Sequence, residues 1–174
     1  MAGKFLCPRC FELQSHDSIE YICSNMSTTS KCQHAIDRMP QHPANAKKPV
    51  CEECGQPLVT KVCPKCGGEL PLNIGTAKSY PIAIIGAKET GKSNYVAVLI
   101  NQLKNDIGRA FNCALMACGD KTLNRYRTEF YDPLYRHRTC VRGSDAGDVD
   151  PLIYSLIFKR KGGLFKNCLL YTSP

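Results

Sequence analysis

Tryptophan is absent, and phenylalanine and tyrosine together make up only 8% of the chain. No stretch approaches the roughly 18 consecutive apolar residues of a membrane-crossing helix, so no membrane partner is expected. The start, Met1-Ala-Gly-Lys-Phe-Leu-Cys7, lacks the apolar core of a secretion signal. A cytoplasmic location is therefore expected. The first 72 residues have few apolar runs, which excludes a large hydrophobic core there. A segment so poor in core needs some other staple.

Cysteine is what that segment has instead. Eight of the twelve cysteines precede residue 67, mostly in CxxC pairs. In an exported protein this density would indicate disulfides; without an export signal it indicates metal ligation. The formal charge of +8 suggests nucleic acid at first sight. Eight metal-bound thiolates would bring −8 and two divalent ions +4, leaving a balance of about +4. That is a mildly basic surface. Lys47, Lys48, Lys61 and Lys65 are basic, but Phe5, Phe11 and Tyr21 are the only aromatics near them. A base-stacking platform interleaves basic and aromatic residues, and this one is thin. Nucleic acid stays open as a partner without being favoured.

The cysteines are read as two zinc ribbons, over 1–46 and 47–72. The first site takes Cys7, Cys10, Cys23 and Cys32, with His34 and His42 as alternative fourth ligands because eight residues separate Cys23 from Cys32. The second takes Cys51, Cys54, Cys63 and Cys66, in the spacing CxxC-x8-CxxC. A CxxC turn presents two thiolates to one tetrahedral ion. Gly55 and Gly67, each behind the second cysteine of its pair, suit a turn that needs positive φ. Closed four-thiolate sites leave no ligand position for water, so both are assigned a structural role and no catalysis.

Residues 73–80 read as a linker, after which strand and helix patterns alternate in the manner of an α/β domain. Pro81–Ile85 is an apolar run suited to a buried parallel strand. A helix is expected from Lys92 to about Ile107, burying Val96, Leu99, Ile100, Leu103 and Ile107 and stopping at Gly108. Phe111–Ala117 reads as a strand. Asp120 is placed as the cap of a helix running to Tyr131, with Leu123, Tyr126 and Phe130 inward and Asp132-Pro133 ending it. A loop covers 139–150. A hairpin follows, with strands over Leu152–Phe158 and from Leu164 onward around a turn at Lys161-Gly-Gly163. The final Cys168-Leu-Leu-Tyr-Thr-Ser-Pro174 matches, in reading frame, the translation of a transposon-end sequencing adapter. The α/β domain is accordingly read as native over 81–167 and cut short there, with 168–174 foreign to it.

Gly86-Ala87-Lys88-Glu89-Thr90-Gly91-Lys92-Ser93 fits the P-loop pattern GxxxxGK followed by Ser or Thr, between an apolar strand and an amphipathic helix. Backbone N–H groups of such a loop face phosphates. Lys92 would reach the β- and γ-phosphates, and Ser93 would bind Mg²⁺. No DxxG and no NKxD motif occurs, and no catalytic residue is assigned.

Paired cysteine ribbons, then Ile84-Ile-Gly-Ala-Lys-Glu-Thr-Gly-Lys-Ser-Asn-Tyr95, Phe130-Tyr-Asp-Pro-Leu-Tyr135 and Asp150-Pro-Leu-Ile-Tyr154, resemble bacterial TRAFAC-class GTPases of the double-GTPase family, second type. The resemblance implies a Ras-like α/β domain binding GTP and Mg²⁺, whose second strand runs antiparallel to its third. It implies a switch-I residue, for which Thr139 and Ser144 are candidates. The expected function is a regulatory GTPase switch that docks a protein partner through its zinc ribbons, the fragment itself being inactive. An ATP-driven enzyme of another P-loop class and a zinc-ribbon binding module with a vestigial P-loop are the alternatives.

Overall fold

A computed structural model of the chain describes residues 3–26, 31–43, 49–82, 84–85, 87, 90–143, 150–159 and 165–172. The chain divides into two compact units, Met1–Gly75 and Thr76–Pro174.

The first unit is built from short hairpins. Strands β1 (Lys4–Leu6) and β2 (Leu13–Ser15) pair antiparallel around Cys7–Cys10. Strands β3 (Glu20–Ile22), β4 (Thr60–Val62) and β5 (Glu69–Leu70) form an antiparallel sheet in that order, with Cys63–Cys66 at the β4–β5 turn. Between β3 and β4 lie the short helix α1 (Gln33–Ile36), which starts from Cys32, and a turn carrying Cys51–Cys54. Strands of two or three residues bury little: Phe5, Ile22, Leu58, Val62 and Ile74 are the main buried apolar side chains, and the cysteines fill the space between them. His16 fills another gap. Its ring lies against both Gly3 and Gly75, where a Cβ would come within 2.7 and 2.5 Å of it.

The second unit has a mixed four-stranded sheet in the order β6-β9-β8-β7. These are β6 (Lys78–Ile82), β7 (Cys113–Ala117), β8 (Ile153–Lys159) and β9 (Phe165–Thr172). β9 runs parallel to β6 and antiparallel to β8, and β8 is antiparallel to β7. Helices α2 (Lys92–Lys104), α3 (Asp106–Ala110) and α4 (Asp120–Arg125) complete it, α4 continuing as a wide-turned π-helix over Tyr126–Arg136. The core joins Ala97 and Ile100 of α2 to Tyr126 and Phe130, and these to Leu115, Val141, Leu152 and Tyr154. Tyr126 donates a buried hydrogen bond of 3.0 Å to the Ala97 carbonyl.

The mixed α/β architecture and the expected hairpin are present, with several corrections. The strand at β6 lies over 78–82 rather than 81–85, and it is largely exposed rather than buried. It stands at the end of the described sheet, bonded only to β9, and Ile85 beyond it is 94% exposed. The helix from Lys92 breaks at Asn105, and Gly108 lies inside α3 instead of ending α2. Gly108 is held by close packing, since a Cβ there would sit 2.7 Å from the Leu103 carbonyl oxygen. Phe111 is 70% exposed and precedes the strand. Asp120 is in the first turn of α4 but does not cap it; Gly119 is the cap. Leu123 faces outward. Helix geometry also passes through Asp132-Pro133. The turn there widens, as in the 2.9 Å bond from the His137 N–H to the Asp132 carbonyl, so the missing Pro133 N–H does not stop it. Residues 168–172, expected to be foreign to the domain, form most of β9, with Leu169 and Tyr171 fully buried between two neighbouring strands. That placement reflects their apolar, strand-forming character.

A candidate pair of nested metal centres

The eight N-terminal cysteines form two tetrads, each with all four sulfur atoms within 4.8 Å of one another. The membership differs from the expected ribbons. An outer tetrad joins Cys7 and Cys10 to Cys63 and Cys66; an inner one joins Cys23 and Cys32 to Cys51 and Cys54. Neither expected site, Cys7/Cys10/Cys23/Cys32 or Cys51/Cys54/Cys63/Cys66, is formed, and the division at residue 46 does not separate two ribbons.

The physical reason is the β3–β4 pairing. Its register sets Glu20 opposite Val62 and Ile22 opposite Thr60. Cys23 therefore leaves one end of the ladder and Cys63 the other. Four residues of strand separate those ends, roughly 13 Å at about 3.3 Å per residue. One ion cannot bridge that gap. The Cys51–Cys54 turn returns to the chain at the Thr60 end and meets Cys23; the Cys63–Cys66 turn starts at the Val62 end and meets the first hairpin.

Three turns share one backbone design. The N–H groups of Phe11, Gly55 and Gly67 donate to the carbonyls of Cys7, Cys51 and Cys63 at 2.9–3.0 Å. All three donors have positive φ, at 54°, 68° and 63°. The expected role of Gly55 and Gly67 is thus met, while Phe11 holds the same conformation with a side chain. The fourth ligand pair, Cys23 and Cys32, is not a tight turn. The Cys32 N–H donates to the Asn25 carbonyl at 3.3 Å, and Asn25 in turn donates its own N–H to the Cys23 sulfur at 3.5 Å.

The spacing suits a metal. Sulfur pairs lie 3.9 Å apart in the outer tetrad (Cys7–Cys66 and Cys10–Cys63) and 3.7 Å apart in the inner one (Cys23–Cys54 and Cys32–Cys51). Four thiolates about 2.3 Å from a tetrahedral ion would stand roughly 3.8 Å apart. A disulfide would need about 2.05 Å, and all twelve cysteines are free.

The inner tetrad has polar neighbours that the spacing pattern did not reveal. The Gln41 amide donates to the Cys51 sulfur at 3.6 Å, and the His34 Nδ1 lies 3.7 Å from it. Glu53 accepts from the Cys32 thiol and from the His34 backbone N–H, both at 2.9 Å. Burial pushes the Cys51 thiol up, but backbone donors at Cys54 and Glu53, with Gln41 and His34, outweigh it and hold the thiol down at about 6. The Cys51 sulfur in turn raises His34. Cys32 is pushed up by burial and by the Glu53 carboxylate. Glu53 is held down by the Cys32 thiol and the His34 N–H. His34 thus neighbours the site, and the fourth place in the inner tetrad is taken by a cysteine. His42 lies outside it, 3.1 Å from Glu20. Glu53 sits within the CxxC pair and could have been noticed there; Gln41 carries no sequence signal.

The loop expected to bind phosphate is described only at Ala87, Thr90, Gly91, Lys92 and Ser93; Gly86, Lys88 and Glu89 lie outside the described residues. Gly91 has φ of +80° and begins α2. The Lys92 ammonium and the Thr90 hydroxyl both donate to the Ala87 carbonyl. Thr139 donates its hydroxyl and its N–H to the Pro133 carbonyl; Ser144 lies outside the described residues. No helix among the described residues is long and apolar enough to cross a membrane.

The class defined here is a mixed α/β chain with two cysteine tetrads able to hold two metal ions. No protein-family model and no solved structure gives a significant match. The chain is 33% identical over 107 residues to SaeC, a proposed ESX-1 scaffolding and assembly protein of Mycolicibacterium smegmatis. The match takes in 58% of this chain and 28% of that protein, so the chain spans little more than a quarter of its relative's length. This finding overturns the expectation of a regulatory GTPase switch loaded with GTP and Mg²⁺: the relative is named for scaffolding and assembly.

Proposed function

We propose that the chain is a metal-stapled, protein-binding part of a scaffold. The identity to a scaffolding and assembly protein carries this reading. The design of the first unit supports it. All eight ligands are cysteines, both tetrads are closed, and no open coordination position is left for chemistry. The ions are zinc, the usual occupant of tetrahedral all-thiolate sites. Zinc here holds hairpins too short to hold themselves and fixes the surface they present to a protein partner. Bound zinc would supply rigidity only; Gln41 and His34 offset the excess negative charge that four thiolates leave on the inner ion.

A chimera tests the reading. The chain is put in place of the matching region of the M. smegmatis relative, and assembly is scored. The chimera is expected to assemble, and its Cys51→Ser/Cys63→Ser version to fail. Equal assembly by both would remove the proposal.

A further inference from the structure

The tetrads are nested along the chain. The outer ligands, Cys7/Cys10 and Cys63/Cys66, enclose the inner ones, Cys23/Cys32 and Cys51/Cys54. Ribbons arranged in series could fill independently; in nested sites, filling the inner one shortens the loop that the outer one must close. The nearest ligands to be joined across the inner site are Cys32 and Cys51, 19 residues apart. Across the outer site they are Cys10 and Cys63, 53 residues apart. Loop closure becomes less probable as about the three-halves power of length, so the inner closure is favoured about fivefold for equal ligand sets. Closing it also brings β3 to β4, with Glu20 opposite Val62. The outer closure then spans only Cys10–Glu20 and Val62–Cys63. Exposure points the same way. Three inner ligands are buried and Cys54 is half-buried, whereas in the outer tetrad Cys66 is exposed and Cys10 half-buried.

We infer that the two sites fill in a fixed order, inner before outer, and empty in the reverse order, so that the outer ion is a releasable clasp on the β1–β2 hairpin. This rests on the reading that both tetrads hold metal. Release of the outer ion alone would free Lys4–Ser15 while α1 and the β3–β4 ladder keep their shape. The first hairpin would then be the part of the surface open to control by metal supply or by thiol-reactive agents.

The test is titration of the metal-free full chain with Co²⁺. Thiolate-to-cobalt charge-transfer absorption is followed, and at each step free thiols are alkylated and located by peptide mass spectrometry. Among chains holding a single cobalt ion, sorted by native mass spectrometry, the ion is expected on Cys23, Cys32, Cys51 and Cys54 about fivefold more often than on the outer four. All eight are expected to be protected at two equivalents. Equal sharing of that single ion between the tetrads, or a preference for the outer one, overturns the order. Two variants give a second reading. Cys66→Ser is expected to keep one cobalt at unchanged affinity, and Cys54→Ser to weaken the remaining site about fivefold or more. Equal single losses in the two variants also overturn it. A wild-type chain that shows no charge-transfer band removes the metal reading itself, and the order with it.

Discussion

The two units solve the same problem with different materials. The first, Met1–Gly75, has strands of two or three residues and a four-residue helix, and its interior is substantially cysteine sulfur. The second, Thr76–Pro174, has strands of up to eight residues and a core of Ile100, Leu115, Phe130, Tyr126 and Tyr154. Only the second buries enough apolar surface to offset the entropy of ordering its chain by the ordinary hydrophobic route. The first has two cysteine tetrads able to hold ions in place of such a core. The difference teaches where each unit is vulnerable: one to loss of metal, the other to loss of side-chain volume.

The largest expected effect is removal of metal. Structural zinc in small domains contributes on the order of 10 kcal/mol of apparent folding free energy. A strong chelator is expected to abolish amide protection in β3, β4 and β5 while leaving β8 and β9 protected, as read by hydrogen exchange. Loss of protection in both units together would break the comparison. The opposite change is Ile100→Ala, which removes a 95% buried side chain from the second unit. It is expected to cost that unit about 2–5 kcal/mol in urea unfolding, with metal content by mass spectrometry unchanged. A variant that also sheds metal would mean that the units are not separately held.

A smaller effect lies in the turns. Gly67→Ala puts a Cβ at φ of 63°, where nothing crowds it, so the penalty is conformational, about 1–2 kcal/mol. It should appear as weaker metal retention at the outer tetrad without change in the inner one. Phe11 bears the corresponding strain already, so that turn is expected to be the least stable of the three. The smallest effect separates two tyrosines. Tyr126→Phe removes a buried bond to the Ala97 carbonyl and is expected to cost about 1 kcal/mol. Tyr154→Phe removes a buried hydroxyl that has no hydrogen-bond partner among the described residues, and is expected to be neutral or slightly stabilising. Equal losses in thermal melts would show that the Tyr154 hydroxyl is satisfied after all.

Some of this was legible from residues alone. The eight ligand cysteines are set by chain chemistry, because CxxC pairs in a core-poor segment have little else to do. Gly55 and Gly67 announce positive φ. The Leu152–Phe158 strand and its return partner follow from local apolar pattern, while the turn expected at Lys161-Gly-Gly163 lies outside the described residues. The helix at Lys92 follows from its three- and four-residue periodicity, although its break at Asn105 does not, since that depends on Gly108 packing against Leu103 and Cys113. Local pattern misled at Asp132-Pro133, where a wide helical turn absorbs the missing donor. It misled again at Pro81, Ile82 and Ile85, whose apolar character suggests burial but which are exposed, because exposure depends on which strands stand beside them. The P-loop pattern pointed to a GTP switch, and the relative's role in scaffolding and assembly corrected that.

What the sequence by itself determined is which thiols are able to bind metal and which segments become strand or helix, because these depend on residue chemistry and on neighbours a few positions away. What only the tertiary structure decided is which cysteines come together in one tetrad. Spacing treats near neighbours in the chain as partners. The β3–β4 register instead sends Cys23 and Cys63 to opposite ends of one ladder, and the pairing of Ile22 with Thr60, far apart in the chain, leaves no mark in the spacing of the cysteines.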